Sequence, residues 1–276
     1  MTVNLSRIKI SRGELSYFEA TPDAGTDVKG TVVMVPGFTG SREDFLPMAP
    51  FVTAAGYRLI SYSQLGQYDS DGPDGRDAVG EYTIAKFALD LAEVLDALAP
   101  GEKVHLLGHS FGGLVTRAAV LNDPARFLDY VILDSPPNGQ DLGGAVDMGQ
   151  IPELLWAGGN EALWQAMFGA FEDIFPAPVK EFLRGRIMAT KTANIAGIAL
   201  TMSAEPDRVE ELGATGVPIL VAAGENDVIP LDAQADAAAR LGVKFEIIAG
   251  ASHTPNEEKP EELTKVLVDF WAGHTA

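Results

Sequence analysis

Five residues constrain this chain more than any others: Gly108-His109-Ser110-Phe111-Gly112. They follow an apolar run, Val104-His105-Leu106-Leu107, with strand character and precede a helical pattern over about 111–121. A chance Gly-x-Ser-x-Gly is not rare in a chain with 29 glycines. Between a strand and a helix it means more, because the turn is then so sharp that side chains at 108 and 112 would collide with neighbouring elements. Such a turn lifts the Ser110 hydroxyl above the sheet. It also starts a helix behind it, whose positive N-terminal end suits an oxyanion. Ser110 is therefore the candidate nucleophile.

The rest of the chain alternates short β-branched runs with helical patterns. Residues 5–11 and 14–20, split by Gly13, read as an opening hairpin. Strand character recurs at 31–35, 57–63, 103–108, 129–134, 217–222 and 244–248. Helical patterns cover about 42–55, 82–98 and 260–271; the second puts Ile84, Phe87, Ala88, Leu91, Val94, Leu95 and Leu98 on one face. This alternation predicts an α/β fold, a mostly parallel sheet with helices on both faces.

The rhythm stops after Pro136-Pro137. From about 138 to 205 the pattern is helical only and rich in Trp156, Trp164, Met167, Phe168, Phe171, Phe175, Phe182 and Met188. These side chains either fill the core or form the underside of a cap facing a pocket. On the second reading Trp156, Trp164, Met167 and Phe168 line the substrate site. The length of 276 residues, with 46% apolar and 21% charged, accommodates one α/β domain carrying such an insertion.

Together these features resemble the α/β-hydrolases of the single-domain, capped type, among them many esterases, cofactor-free perhydrolases and C–C bond hydrolases. The likeness runs from the opening hairpin to the last helix. It implies an α/β-hydrolase fold with an eight-stranded sheet, divided into a core (1–137), a helical cap (138–205) and the rest of the core (206–276).

A serine hydroxyl needs an adjacent base, usually a histidine held by a carboxylate. The chain has four histidines. His105 lies inside a strand, His109 is in the elbow itself and cannot easily turn back on its neighbour, and His274 is in a terminal tail expected to be loose. His253 remains, in Gly250-Ala-Ser-His-Thr254, and the resemblance places the base on that loop. It also places the acid in a Gly-x-x-Asp pattern after the preceding strand, matched here by Gly224 to Asp227. Asp134, at the end of strand 129–134, is the alternative acid and Glu225 a weaker third. The oxyanion donors implied by the resemblance are the backbone N–H groups of Phe111 and Phe38.

Two stretches depart from the pattern. Pro36-Gly37 stands where many relatives have His-Gly. In Ser63-Gln-Leu-Gly-Gln-Tyr-Asp-Ser70, the arginine that helps hold the loops together in relatives is missing, and only the glycine and final serine survive. The Asp/Gly-rich run 69–80 that follows reads as a mobile loop near the entrance.

The formal net charge of −19, from 39 acidic and 20 basic residues, argues against nucleic acid or an anionic membrane surface as partner. Without cysteine there is no disulfide, thiolate chemistry or Cys-ligated zinc, and no cofactor or metal is called for. The N-terminus lacks a signal-peptide apolar run and no stretch approaches a membrane span, so a cytoplasmic location is expected. The motifs suit a carboxylic-ester hydrolase for small to medium, mainly apolar substrates. A C–C hydrolase, lactonase or perhydrolase would share them. A ligand receptor or non-catalytic scaffold would usually lack one of the three residues.

Overall fold

The computed structural model describes residues 1–143, 147–170 and 172–274. Phe171 lies outside them. Strand β1 (Thr2–Ile10) turns through Gly13, φ +155°, into β2 (Gly13–Thr21), and β3 (Gly30–Val35) leads to α1 (Ala49–Ala54). Next come β4 (Tyr57–Tyr62), α2 (Ile84–Leu98), β5 (Val104–His109), α3 (Phe111–Asn122) and β6 (Phe127–Leu133). Among the described residues, three long helices follow without a strand: α4 (Ile151–Phe168), α5 (Ala177–Ala189) and α6 (Thr192–Ser203). The chain then re-enters the sheet through α7 (Val209–Gly213), β7 (Ile219–Gly224), α8 (Leu231–Leu241), β8 (Phe245–Ile248), α9 (Pro255–Glu258) and α10 (Pro260–Trp271).

The eight strands form one sheet in the order β1-β2-β4-β3-β5-β6-β7-β8. Among the described residues, only β1–β2 and β2–β4 pair antiparallel; the strands from β4 to β8 in the sheet order run parallel. The fold class is the one the alternating pattern predicts. Alternation along β3 divides the core. Val33 and Val35 join Phe87, Leu91, Phe111 and Leu114 of α2 and α3, while Val32 and Met34 join Val52, Leu263, Leu267 and Trp271 of α1 and α10. Among the described residues, no helix is long and apolar enough to cross a membrane.

The helical insertion α4–α6 has a core of its own, built on Leu155, Leu163, Trp164, Ile187, Ile195 and Ala199. Its last helix is tied to the sheet domain. The Lys191 N–H donates to the Gly66 carbonyl at 2.9 Å, and the Asn194 side-chain amide to the Leu65 carbonyl at 2.6 Å.

Two expectations are corrected. The run 69–80 is tied down rather than loose: Asp74 accepts the Ala193 N–H of α6 at 2.9 Å, and the Tyr82 hydroxyl donates to the Pro73 carbonyl. Nor is the end of the chain free at His274. Its ring packs on Phe270 with centroids 4.8 Å apart, and its Nδ1 lies 3.2 Å from Asp129, the carboxyl that also holds His105.

Candidate active site

β5 ends at His109 and α3 begins at Phe111, so Ser110 alone makes the turn, with φ 52° and ψ −122°. A non-glycine residue in that region is strained by about 1–3 kcal/mol and persists only where its surroundings force it. Those surroundings are visible. The Ser110 N–H donates to the Leu133 carbonyl at 2.9 Å, and the Ser135 hydroxyl to the Ser110 carbonyl at 2.8 Å. A Cβ on Gly108 would lie 2.1 Å from Thr116 Oγ1, and one on Gly112 would lie 2.2 Å from the Val35 carbonyl oxygen. Both glycines are required by contact with neighbouring elements.

The loops after β7 and β8 bring two more residues to the serine. His253 Nε2 is 3.1 Å from Ser110 Oγ, and its Nδ1 is 2.6 Å from Asp227 Oδ1. Asp227 accepts two further donors: the Ile229 N–H at 3.1 Å and the Gln234 side-chain amide at 2.7 Å. Burial pushes its acidity down, but the hydrogen bond and charge of His253 outweigh that and hold its carboxyl below the usual range. Ser110 is 6% exposed, the His253 side chain 28% and the Asp227 side chain fully buried, so the line meets solvent chiefly at the imidazole.

The other candidates take different places. His105 is buried and bonded to Asp129 at 2.8 Å. Glu225 accepts the Gly250 N–H at 2.8 Å and so braces the histidine loop from outside. Asp134 stands beside Asp227, with its Oδ1 accepting the Gly224 N–H at 2.8 Å. Asp134, Asp227 and His253 are the one group among the described residues whose ligand atoms converge closely enough for a metal ion. There, however, His253 Nδ1 is already bonded to Asp227.

Phe111 opens α3, so its N–H lies outside the helical ladder. The loop carrying Phe38 presses against the elbow, since a Cβ on Gly37 would lie 3.0 Å from Ser110 Cβ. Two side chains that the sequence did not point to brace this loop. Gln64 and Gln67, both fully buried, donate to the Pro36 and Gly37 carbonyls at 3.0 and 2.8 Å. Gln67 Oε1 also accepts the Gln64 N–H at 3.0 Å, locking the two together. The only sequence hint was two glutamines flanking the surviving glycine.

Of the four cap residues, Trp164 is fully buried within the cap core and donates to Glu172 at 2.8 Å. Phe168 packs on it with centroids 4.8 Å apart, and Met167 is half-buried against the same cluster. Trp156 is half-buried under the Arg76 guanidinium, 5.2 Å from its ring centroid. Phe38 meets both this cluster and the main core.

The fold and this arrangement define a class, the α/β hydrolases. Residues 32–266 match the model of the alpha/beta hydrolase family, and the chain belongs to that family. It is 27% identical over 290 residues to a 2-hydroxy-6-oxononadienedioate/2-hydroxy-6-oxononatrienedioate hydrolase of Paraburkholderia xenovorans, covering 98% of this chain and 96% of that one. A shorter match, 38% identical over 109 residues, spans 39% of this chain and 39% of a candidate carbamate hydrolase, RutD, of Variovorax paradoxus. Among solved structures, a thermophilic esterase of Thermogutta terrifontis superposes with a TM-score of 0.79 at 22% identity, covering 99% of this chain and 100% of that one.

Proposed function

We propose that the chain is a serine hydrolase of carboxylic esters, acting through an acyl-enzyme on small to medium, mainly apolar substrates. The observation that carries this reading is the continuous line from Ser110 Oγ through His253 to Asp227, at 3.1 and 2.6 Å. Ser110 Oγ attacks the ester carbonyl as its proton passes to His253 Nε2. Asp227 holds Nδ1–H, which leaves Nε2 free as the base, and stabilises the imidazolium. The N–H groups of Phe111 and Phe38 receive the developing oxyanion. His253 then returns the proton to the departing alcohol. In the second half His253 activates a water, which releases the acid and restores Ser110.

Hydrolysis of p-nitrophenyl esters of graded acyl length, wild type beside Ser110→Ala, tests this. Turnover that disappears in the variant supports it, and the length optimum sizes the acyl site. A folded wild type that turns over none of these esters rejects it. The second reading is C–C bond hydrolysis with the same residues, favoured by the near full-length match to the Paraburkholderia hydrolase. Cleavage of a vinylogous diketone without ester turnover would select it.

A further inference from the structure

The site holds a second carboxyl that the proposed reaction does not use. Asp134 follows directly on β6, with φ 45°, and is fully buried. Its N–H donates to the Ala222 carbonyl at 2.9 Å, and its Oδ1 accepts the Gly224 N–H at 2.8 Å. Both bonds reach across to β7, the strand that delivers Asp227. Its other oxygen, Oδ2, is buried with no donor among the described residues. One oxygen of Asp134, one of Asp227 and a ring nitrogen of His253 all lie within 4.8 Å of one another.

Two carboxyl groups this close in a buried site oppose each other's ionisation. Their surroundings decide which keeps the proton. Among the described residues, the Asp227 side chain accepts from His253, Ile229 and Gln234, whereas that of Asp134 accepts from Gly224 alone. We infer that Asp134 is a protonated acid whose Oδ2–H is a fourth donor to the Asp227 carboxylate, making Asp134 a positioning residue that acts on His253 through Asp227. Burial first, and the Asp227 charge second, raise Asp134 far above the ordinary carboxyl range, while the same hydrogen bond lowers Asp227. The other titratable groups facing the pair are His253, His109 and Glu258. A carboxylate that receives this extra donor is less basic. It therefore holds the His253 proton less tightly, so the base stays free at lower pH.

The catalytic consequence rests on the serine-hydrolase reading, but the location of the proton does not. Thermal unfolding of wild type and Asp134→Asn across about pH 5 to 9 tests the proton. Asp134 ionises at about pH 3.9 in the unfolded chain. Above that pH the native wild type binds one more proton than its unfolded state, and its stability falls as pH rises. The asparagine variant has no such proton, so its Tm should gain steadily on wild type with rising pH. A gap independent of pH overturns the inference whether or not any ester is hydrolysed.

The acid limb of kcat/KM tests the positioning role. The side-chain amide introduced by Asp134→Asn can still accept from Gly224 and donate to Asp227, so this variant should keep the wild-type limb. Asp134→Leu, or Asp134→Ala if the leucine variant does not fold, should move it up by about half a pH unit or more. A limb unmoved in the apolar variant, or moved equally in Asp134→Asn, overturns the role.

Discussion

The imidazole of His109 donates from Nε2 to the backbone carbonyl of His253 at 2.7 Å, with the two rings 5.0 Å apart. The residue next to the candidate nucleophile thus holds the loop of the candidate base. Burial first, and the neighbouring His253 second, push His109 down to about 3, so it stays neutral. The unfolded chain takes up a proton there below about pH 6.5, which the native state refuses until pH falls near 3. The His109 contribution is therefore intact above pH 6.5 and lost on acidification, by about 1.4 kcal/mol per pH unit. Urea unfolding should show a shallower acid loss in His109→Gln than in wild type. Ester turnover should fall by about tenfold in His109→Ala and recover in His109→Gln, whose amide can donate to the same carbonyl.

Gln67 donates to the Gly37 carbonyl, one residue before the proposed oxyanion donor Phe38. Gln67→Ala frees that peptide to move, and so weakens an interaction made mainly in the transition state. kcat should fall about 10- to 100-fold with KM little changed, below the roughly 10²–10³ seen when a donor is removed outright. Steady-state kinetics on one ester decides it; a change confined to KM would place Gln67 in substrate binding instead.

Arg186 of α5 pairs with Asp44 in the segment before α1, and both side chains are about nine-tenths buried, at 10% and 9% exposure. Asp44 also accepts the Ser41 N–H at 3.2 Å, so this pair joins the helical insertion to the loop beside the elbow. Arg186→Met leaves a buried carboxylate unpaired and should cost about 3–5 kcal/mol in urea unfolding. Replacing Asp44 by leucine in the same chain should recover most of it.

Ser110→Ala should fold normally and lose ester turnover by roughly 10³-fold or more. Asp227→Asn should lose about 10⁴-fold because the histidine tautomer is no longer held. Asp134→Asn should keep most of the wild-type rate. If Asp134→Asn is the crippled variant and Asp227→Asn is not, the acid belongs to β6.

What could be read from the chain alone rests on local chemistry. Alternating apolar runs announced the strands, and glycines on either side of a serine between strand and helix announced the elbow. Four histidines, each in a recognisable context, left His253 as the candidate base. The preference for Asp227 over Asp134 as the acid rested on the resemblance, through the Gly224-x-x-Asp227 pattern, and not on such local signals. Leu133 and Ala222 are paired across β6 and β7, so Asp134 and Asp227 both emerge from the same edge of the sheet. Which one meets the imidazole depends on the path of two loops, and the geometry gives His253 Nδ1 to Asp227. Gln64 and Gln67 were equally hidden, because their bonds to Pro36 and Gly37 span 28 and 30 residues and leave no periodicity. His274 was expected to be loose and instead packs against Asp129, a partner about 145 residues away that only the closed sheet brings near. Local pattern sets the elements and the turn because backbone preference and side-chain period act over a few residues. Hydrogen bonds between distant loops form only after the core has packed, so the tertiary structure alone decides them.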